Sequence, residues 1–76
     1  MTFDAEADAA YITLVPAIES GRSARDEVVE TAGGTVVLDF DQAGMLLGVE
    51  VLGAMKLLHR ELVAGAERID LQADTQ

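Results

Sequence analysis

The residues best suited to chemistry are carboxylates spaced along residues 39–50. Asp39 and Asp41 occupy the first and third places of a twelve-residue window, Gly44 the sixth and Glu50 the twelfth. This spacing is typical of a calcium-binding EF-hand loop, in which carboxylate oxygens surround the ion and glycine permits a sharp turn. However, Ala43 stands at the fifth place, where a side-chain ligand is needed.

The surroundings of this window favour a hairpin turn. An EF-hand loop follows a helix, whereas Thr35–Leu38 is rich in β-branched residues and predicts a strand. Asp39 and Glu50 are nevertheless expected to share the outer face of the hairpin. Asp39, Asp41 and Glu50 are therefore candidate ligands of a divalent cation, and a metal or small-ligand site is the alternative function that the sequence leaves open.

A second group of carboxylates, Asp4, Glu6 and Asp8, lies near the N-terminus. Clustered oxygens can hold Mg²⁺ or Ca²⁺, and paired carboxylates can transfer protons if burial raises one pKa. Surface turns are also commonly acidic, because Asp side chains bond nearby backbone N–H groups. We expect these three residues to cap and solvate a turn.

The remaining polar residues do not form a catalytic pattern. The chain contains no cysteine and a single histidine, His59. A transition-metal site would therefore need carboxylates or a second subunit. The serines, Ser20 and Ser23, do not lie in a nucleophile-elbow pattern. The sequence predicts no enzymatic activity and no cofactor.

The first half of the chain predicts three strands separated by turns. Met1–Asp4 is a short strand, and Ala10–Val15 alternates in polarity as a half-buried strand does. Pro16 ends the second strand because it cannot donate into a ladder. Arg22–Glu30 is charged, and we interpret it as an edge strand whose charges discourage strand addition.

A hairpin of Thr35–Phe40 and Met45–Leu52 is the clearest predicted element. Its two apolar sets meet only if odd positions pair with even ones, because side chains alternate between the faces of a strand. A four-residue loop, Asp41–Gly44, satisfies this condition and puts glycine where a positive φ is expected. The predicted facing pairs are Phe40–Met45, Leu38–Leu47 and Val36–Val49.

The C-terminal part predicts a helix over Ala54–Ala64, with an apolar stripe on Met55, Leu58 and Leu62. Ile69 and Leu71 then alternate with polar residues, which allows a short fifth strand. The predicted fold class is α+β: an antiparallel β-meander of about four strands with one helix packed on a face. Residues 1–72 form a single domain, and residues 73–76 are expected to fray.

Composition restricts the partners. Fourteen acidic residues against five basic ones give a formal charge of −9. This charge opposes binding to nucleic acid and to anionic membranes, and favours a basic protein partner. The N-terminus lacks signal-peptide features, so we expect a cytoplasmic location. A core this small, without disulfides, usually needs an additional source of stability, and we expect it to be self-association into a dimer.

Two stretches carry a family resemblance. The first runs from Asp4 to Ile12, and the second contains Val37–Asp41 followed by Gly44 and Gly48–Val51. Together they resemble the two signatures of the short prokaryotic proteins grouped as domain of unknown function 2283. The residues that match are Asp4, Glu6, Asp8, Tyr11, Asp39, Asp41, Gly44, Gly48 and Glu50.

The resemblance implies a small β-rich fold of uncharacterised function, with no catalytic residues to transfer. Together with the charge, it favours a non-enzymatic protein-interaction module. Such a module would be a homo-oligomer or the antitoxin-like, acidic partner of a basic protein.

Overall fold

The computed structural model describes residues 1–70, which form one mixed sheet of six strands and two short helices. The strands are β1 (Thr2–Asp4), β2 (Ala9–Thr13), β3 (Arg25–Glu30), β4 (Thr35–Phe40), β5 (Leu46–Leu52) and β6 (Glu67–Arg68). The helices are α1 (Ala54–Leu57) and α2 (Arg60–Ala64). Their spatial order in the sheet is β3-β4-β5-β2-β1-β6. This combination of a sheet and two helices is compatible with the predicted α+β class.

The sheet is not a purely antiparallel meander of four strands, as the sequence predicted. All neighbouring pairs are antiparallel except β1 and β6, which are parallel. The helical segment between β5 and β6 explains this, because a helical crossover returns the chain to the end of the sheet from which it can run parallel to β5. A short extra strand lies at Glu67–Arg68, earlier than predicted, because Ile69 follows the strand and does not belong to it. Leu71 lies outside the described residues.

The strand register gives the sheet an apolar face. One row of directly paired residues on this face crosses five strands: Phe3, Ala10, Val51, Val36 and Val29. The helices cover only one end of the row. The buried cluster there consists of Phe3, Ala10, Val51, Ala54 and Val63, whereas Val29 at the other end is 46% exposed.

The predicted register of the central hairpin is wrong, although its alternation is right. Val36 pairs with Val51 and Leu38 with Val49, so each partner lies two residues further along than expected. A β-bulge then shifts the register, and Phe40 pairs with Leu46. Before the bulge, even residues of β4 face odd residues of β5, so the two apolar sets meet on one face, whereas the bulge brings the even residues Phe40 and Leu46 together.

The turn of this hairpin explains the shift. The loop between β4 and β5 extends through Met45, one residue beyond the predicted Asp41–Gly44, and the N–H of Asp41 donates to the carbonyl oxygen of Met45 at 2.9 Å. Gly44 adopts the predicted positive φ, 85°, although Met45 is the last residue of the loop. The bulge absorbs the extra length of the returning strand.

The single helix predicted over Ala54–Ala64 is wrong. Leu58 is extended, with φ −104° and ψ 146°, and separates α1 from α2. This break allows both Leu57 and Leu58 to pack against the buried cluster, which adjacent residues of one helix do poorly because their side chains diverge. As a result Val63 is buried, and the expected stripe residues Met55 and Leu62 are 60% and 48% exposed.

Asp8 joins the first turn to the start of α1. Its carbonyl oxygen accepts hydrogen bonds from the N–H groups of Gly53 and Ala54, and its Oδ1 accepts one from Met55 at 2.9 Å. The residue has a φ of 51°, a conformation that Asp tolerates better than most residues. Asp8 therefore supplies the helix cap from a residue distant in sequence.

The strand β3 lies at the edge of the sheet, as predicted, although it begins at Arg25 and not at Arg22. All six of its residues are exposed. Within residues 1–70, no helix is long and apolar enough to span a bilayer.

Candidate functional site

The face of the sheet opposite the apolar face carries a cluster of polar side chains. Five residues form this acidic cluster: Tyr11, Ser23, Asp26, Asp39 and Glu50. Together with Val37 they line a shallow cavity of about 90 Å³. The register places them together because Tyr11 pairs with Glu50, which pairs with Val37, while Asp26 pairs with Asp39 in the next row.

Tyr11 lies across the centre of this cluster. Its ring passes directly over Gly48, where an added Cβ would come within 2.4 Å of the phenol oxygen and 2.7 Å of Cζ. Any larger residue at position 48 would displace the ring. The hydroxyl group of Tyr11 donates a hydrogen bond to Oδ2 of Asp39 at 3.0 Å. One side chain thus connects β2, β5 and β4.

Asp39 is the principal acceptor of the cluster. Its Oδ1 accepts a hydrogen bond from the hydroxyl group of Ser23, and its Oδ2 accepts the one from Tyr11. The Ser23 and Tyr11 hydroxyls and a bond from Asp26 favour the ionised form, and together they lower the pKa of Asp39. Asp39 therefore carries the negative charge at the centre of the face.

The pKa of Asp26 shifts in the opposite direction to that of Asp39, because the two residues are directly paired between β3 and β4. Its hydrogen bond to Asp39, with burial and the charge of Asp39, raises the pKa of Asp26. Two like charges this close disfavour the ionisation of both carboxyl groups. As the pH falls, Asp26 therefore takes up a proton before Asp39, which has the better donors.

Tyr11 is held in its neutral form. Burial, the hydrogen bond to Asp39 and the nearby charges of Asp39, Asp26 and Glu50 raise its pKa from 10.0 to about 12. A general acid or base works best with a pKa near the operating pH. The pKa of Tyr11 is raised and that of Asp39 is lowered, so both move away from neutral pH. This pair is therefore poorly suited to proton transfer at neutral pH.

The other predicted site residues act in turns. Oδ1 of Asp4 accepts the N–H groups of Glu6 and Ala7 at 3.0 and 3.2 Å, as expected for a capped turn. Oδ1 of Asp41 accepts the N–H groups of Ala43 and Met45, each at 2.9 Å.

The structure therefore brings together only part of the predicted cation ligands. Asp39 and Glu50 share one face, as expected, while Asp41 is engaged in the loop. Across residues 1–70, no group of three or more His, Asp or Glu side chains is arranged to hold a metal ion. His59 is exposed and precedes α2 without a side-chain capping bond.

Sequence reasoning missed Ser23 and Asp26 as members of the cluster. The edge-strand prediction included both residues but did not fix its register against β4. The pairing of Asp26 with Asp39 could have been found by aligning Val28 and Val29 with Val37 and Val36, which is the observed register.

Charge is divided unequally between the two faces of the sheet. The strand carboxylates on the face of Tyr11, called here the acidic face, are Asp4, Asp26, Glu30, Asp39, Glu50 and Glu67. The two strand arginines lie on the apolar face, each over an aromatic ring: Arg25 is 4.4 Å from the Phe40 centroid and Arg68 is 5.6 Å from that of Phe3.

We predict that Tyr11 titrates with a pKa of about 12 in the folded protein. It is the only tyrosine and there is no tryptophan, so absorbance near ~295 nm reports Tyr11 alone. Asp39→Asn removes the charged acceptor and is expected to lower this pKa.

Because the pKa of Tyr11 is higher in the folded than in the unfolded protein, Tyr11 stabilises the fold fully below about pH 10 and loses that contribution as the pH rises through about 12. A wild-type pKa near ~10, the unfolded value, would contradict the geometry.

Comparison with known proteins gives one match. The model of a family described as "Protein of unknown function (DUF2283)" matches residues 1–54 of the 76 residues. Neither the curated proteins nor the solved structures contain a match. The matched region includes every strand except β6, together with Tyr11, Gly48 and the carboxylates of the cluster. The chain therefore belongs to the DUF2283 family of proteins of unknown function.

Proposed function

We propose that this protein is a non-enzymatic protein-interaction module whose acidic face binds a basic protein. The observation that carries the proposal is the division of charge between the two faces. Six strand carboxylates lie on one face, and both strand arginines lie on the other. A net charge of −9 extends the attraction to long range, where it steers the encounter with an oppositely charged surface.

The chemistry of the acidic cluster supports binding and not catalysis. The pKa values of Tyr11 and Asp39 are shifted in the directions that weaken an acid and a base. The hydroxyl group of Ser23 is bonded to Asp39, whose lowered pKa makes it a weak base for activating a nucleophile. The alternative of a divalent-cation site has less support, because Asp41 is engaged in its own turn.

We further propose that a second copy of the chain covers the uncovered part of the apolar face. Val29 is 46% exposed there, and Val36, Leu38 and Phe40 are only half-buried. The charges on this part are already matched, because Arg25 bonds Glu27. Two apolar faces can therefore meet without repulsion, and the acidic faces then point outward.

Affinity capture from the native host tests the binding function. The tagged protein is expected to retain a basic protein at low salt and release it as salt is raised, because salt screens exposed charges. A variant carrying Asp26→Asn, Glu30→Gln and Glu50→Gln should lose that protein. Retention of the same proteins by wild type and variant, or of acidic proteins only, would reject the proposal.

Light scattering tests the dimer with two neighbouring residues on opposite faces. Val29→Lys places a charge on the apolar face and is expected to give a monomer, whereas Val28→Lys on the acidic face should leave a dimer. Both residues are exposed, so neither change is expected to unfold the domain. A monomeric wild-type protein at about 100 μM would exclude this arrangement, because stable dimers have Kd values well below that range.

A further inference from the structure

Within the described part of the chain, the outer side of β3 is an unpaired sheet edge. The strand is the first in the order β3-β4-β5-β2-β1-β6, and no residue of 1–70 pairs with its outer side. All six of its residues are exposed, including Val28 at 60%. An edge of this kind presents backbone N–H and C=O groups that can hydrogen-bond to another strand.

The register determines which backbone groups face outward. In an antiparallel pair, hydrogen-bonded and non-hydrogen-bonded residue pairs alternate. The N–H group of Thr31 donates to the carbonyl oxygen of Gly34 at 2.8 Å, and this pair is in register with the β3–β4 ladder. Because hydrogen-bonded pairs recur at every second residue, the odd-numbered residues of β3 also bond to β4. The N–H and C=O groups of Asp26, Val28 and Glu30 therefore point away from the sheet.

These outward-bonding residues also carry side chains on the acidic face. Asp26 and Glu30 flank Val28, and Val28 pairs with Val37 in the row of Tyr11 and Glu50. The edge thus presents an alternating pattern of carboxylate, valine and carboxylate beside its free backbone groups. On the opposite face, Arg25 bonds Glu27, so the charges there are already matched.

We propose that an extended basic segment of the partner protein adds to β3 as a further strand. Lys or Arg at alternate positions would lie opposite Asp26 and Glu30, with an apolar residue opposite Val28. Main-chain hydrogen bonds give such complexes their affinity, and alternate side chains give them specificity. The inference rests on the proposed binding of a basic protein and specifies how that protein is recognised.

The same charges exclude a second copy of this chain from the edge. The strand contains one arginine and three acidic residues, so it has a net charge of −2. Pairing β3 with β3 of another copy would bring two strands of like charge together, and like charges across a ladder are destabilising. A basic strand converts this repulsion into attraction.

A synthetic peptide containing Lys-Thr-Val-Thr-Lys provides the probe, measured by calorimetry at about 20 mM salt, where screening is weak. We expect binding that Val28→Pro weakens by about tenfold, since proline removes the outward N–H and is tolerated on an edge strand. Val28→Thr is the matched control and should bind as wild type does. Replacing both lysines of the peptide by glutamate should abolish binding.

N-methylation of the peptide tests the mode without altering the protein. A methyl group on the valine nitrogen blocks a bond to β3 and should weaken binding by about tenfold, whereas one on a neighbouring threonine nitrogen points away and should not. Strand addition is wrong if both methylated peptides bind the wild-type protein as tightly as the unmethylated peptide does, and if the Val28→Pro variant also binds that peptide with unchanged affinity. Charge-driven binding would still stand in that case. If the unmodified peptide does not bind, strand addition is also wrong, and affinity capture still decides the proposed function separately.

Discussion

The arrangement of the sheet depends on the side chain of Tyr11, which lies over Gly48 and donates its hydroxyl proton to Asp39. Tyr11 belongs to β2, Gly48 to β5 and Asp39 to β4. Their contact holds three central strands in one register, since a shift of one residue would put the ring over a side chain or remove the acceptor. Residues from both family signatures therefore meet at a single point.

This contact also has an electrostatic consequence. A half-buried phenol that donates to Asp39 stabilises a charge at the centre of a face that already contains Asp26 and Glu50. The fold accepts this concentration of carboxylates because the face is open to solvent. In the proposed interaction module, this face provides a surface that discriminates between partners by charge.

Local chemistry predicted several features correctly, although not the length of the central turn. The acidic turn after Asp4, the positive φ of Gly44 and the edge position of Arg25–Glu30 all follow from side-chain capping, glycine freedom and charge. Each depends on residues close in sequence. The shared face of Asp39 and Glu50 was also predictable, because strand alternation alone determines it.

The errors arose where distant parts of the chain decide the structure. Periodicity did not predict the bulge in β5, because a bulge preserves the alternation on either side of it. The break at Leu58 depends on packing against residues of the sheet, and the parallel pairing of β6 depends on the path of the preceding helices. The cluster partner Asp26 likewise required a register that sequence patterns did not fix.

Among residues 1–70, β3 is an acidic edge strand that pairs with β4 on one side only. Residue-resolved amide hydrogen exchange in the protein without a partner tests this most directly. The structure predicts alternation, with slow exchange at Glu27 and Val29, whose N–H groups face β4, and fast exchange at Asp26, Val28 and Glu30. Equal protection of all these amides would show that another strand already covers the edge, and would contradict an open outer side of β3.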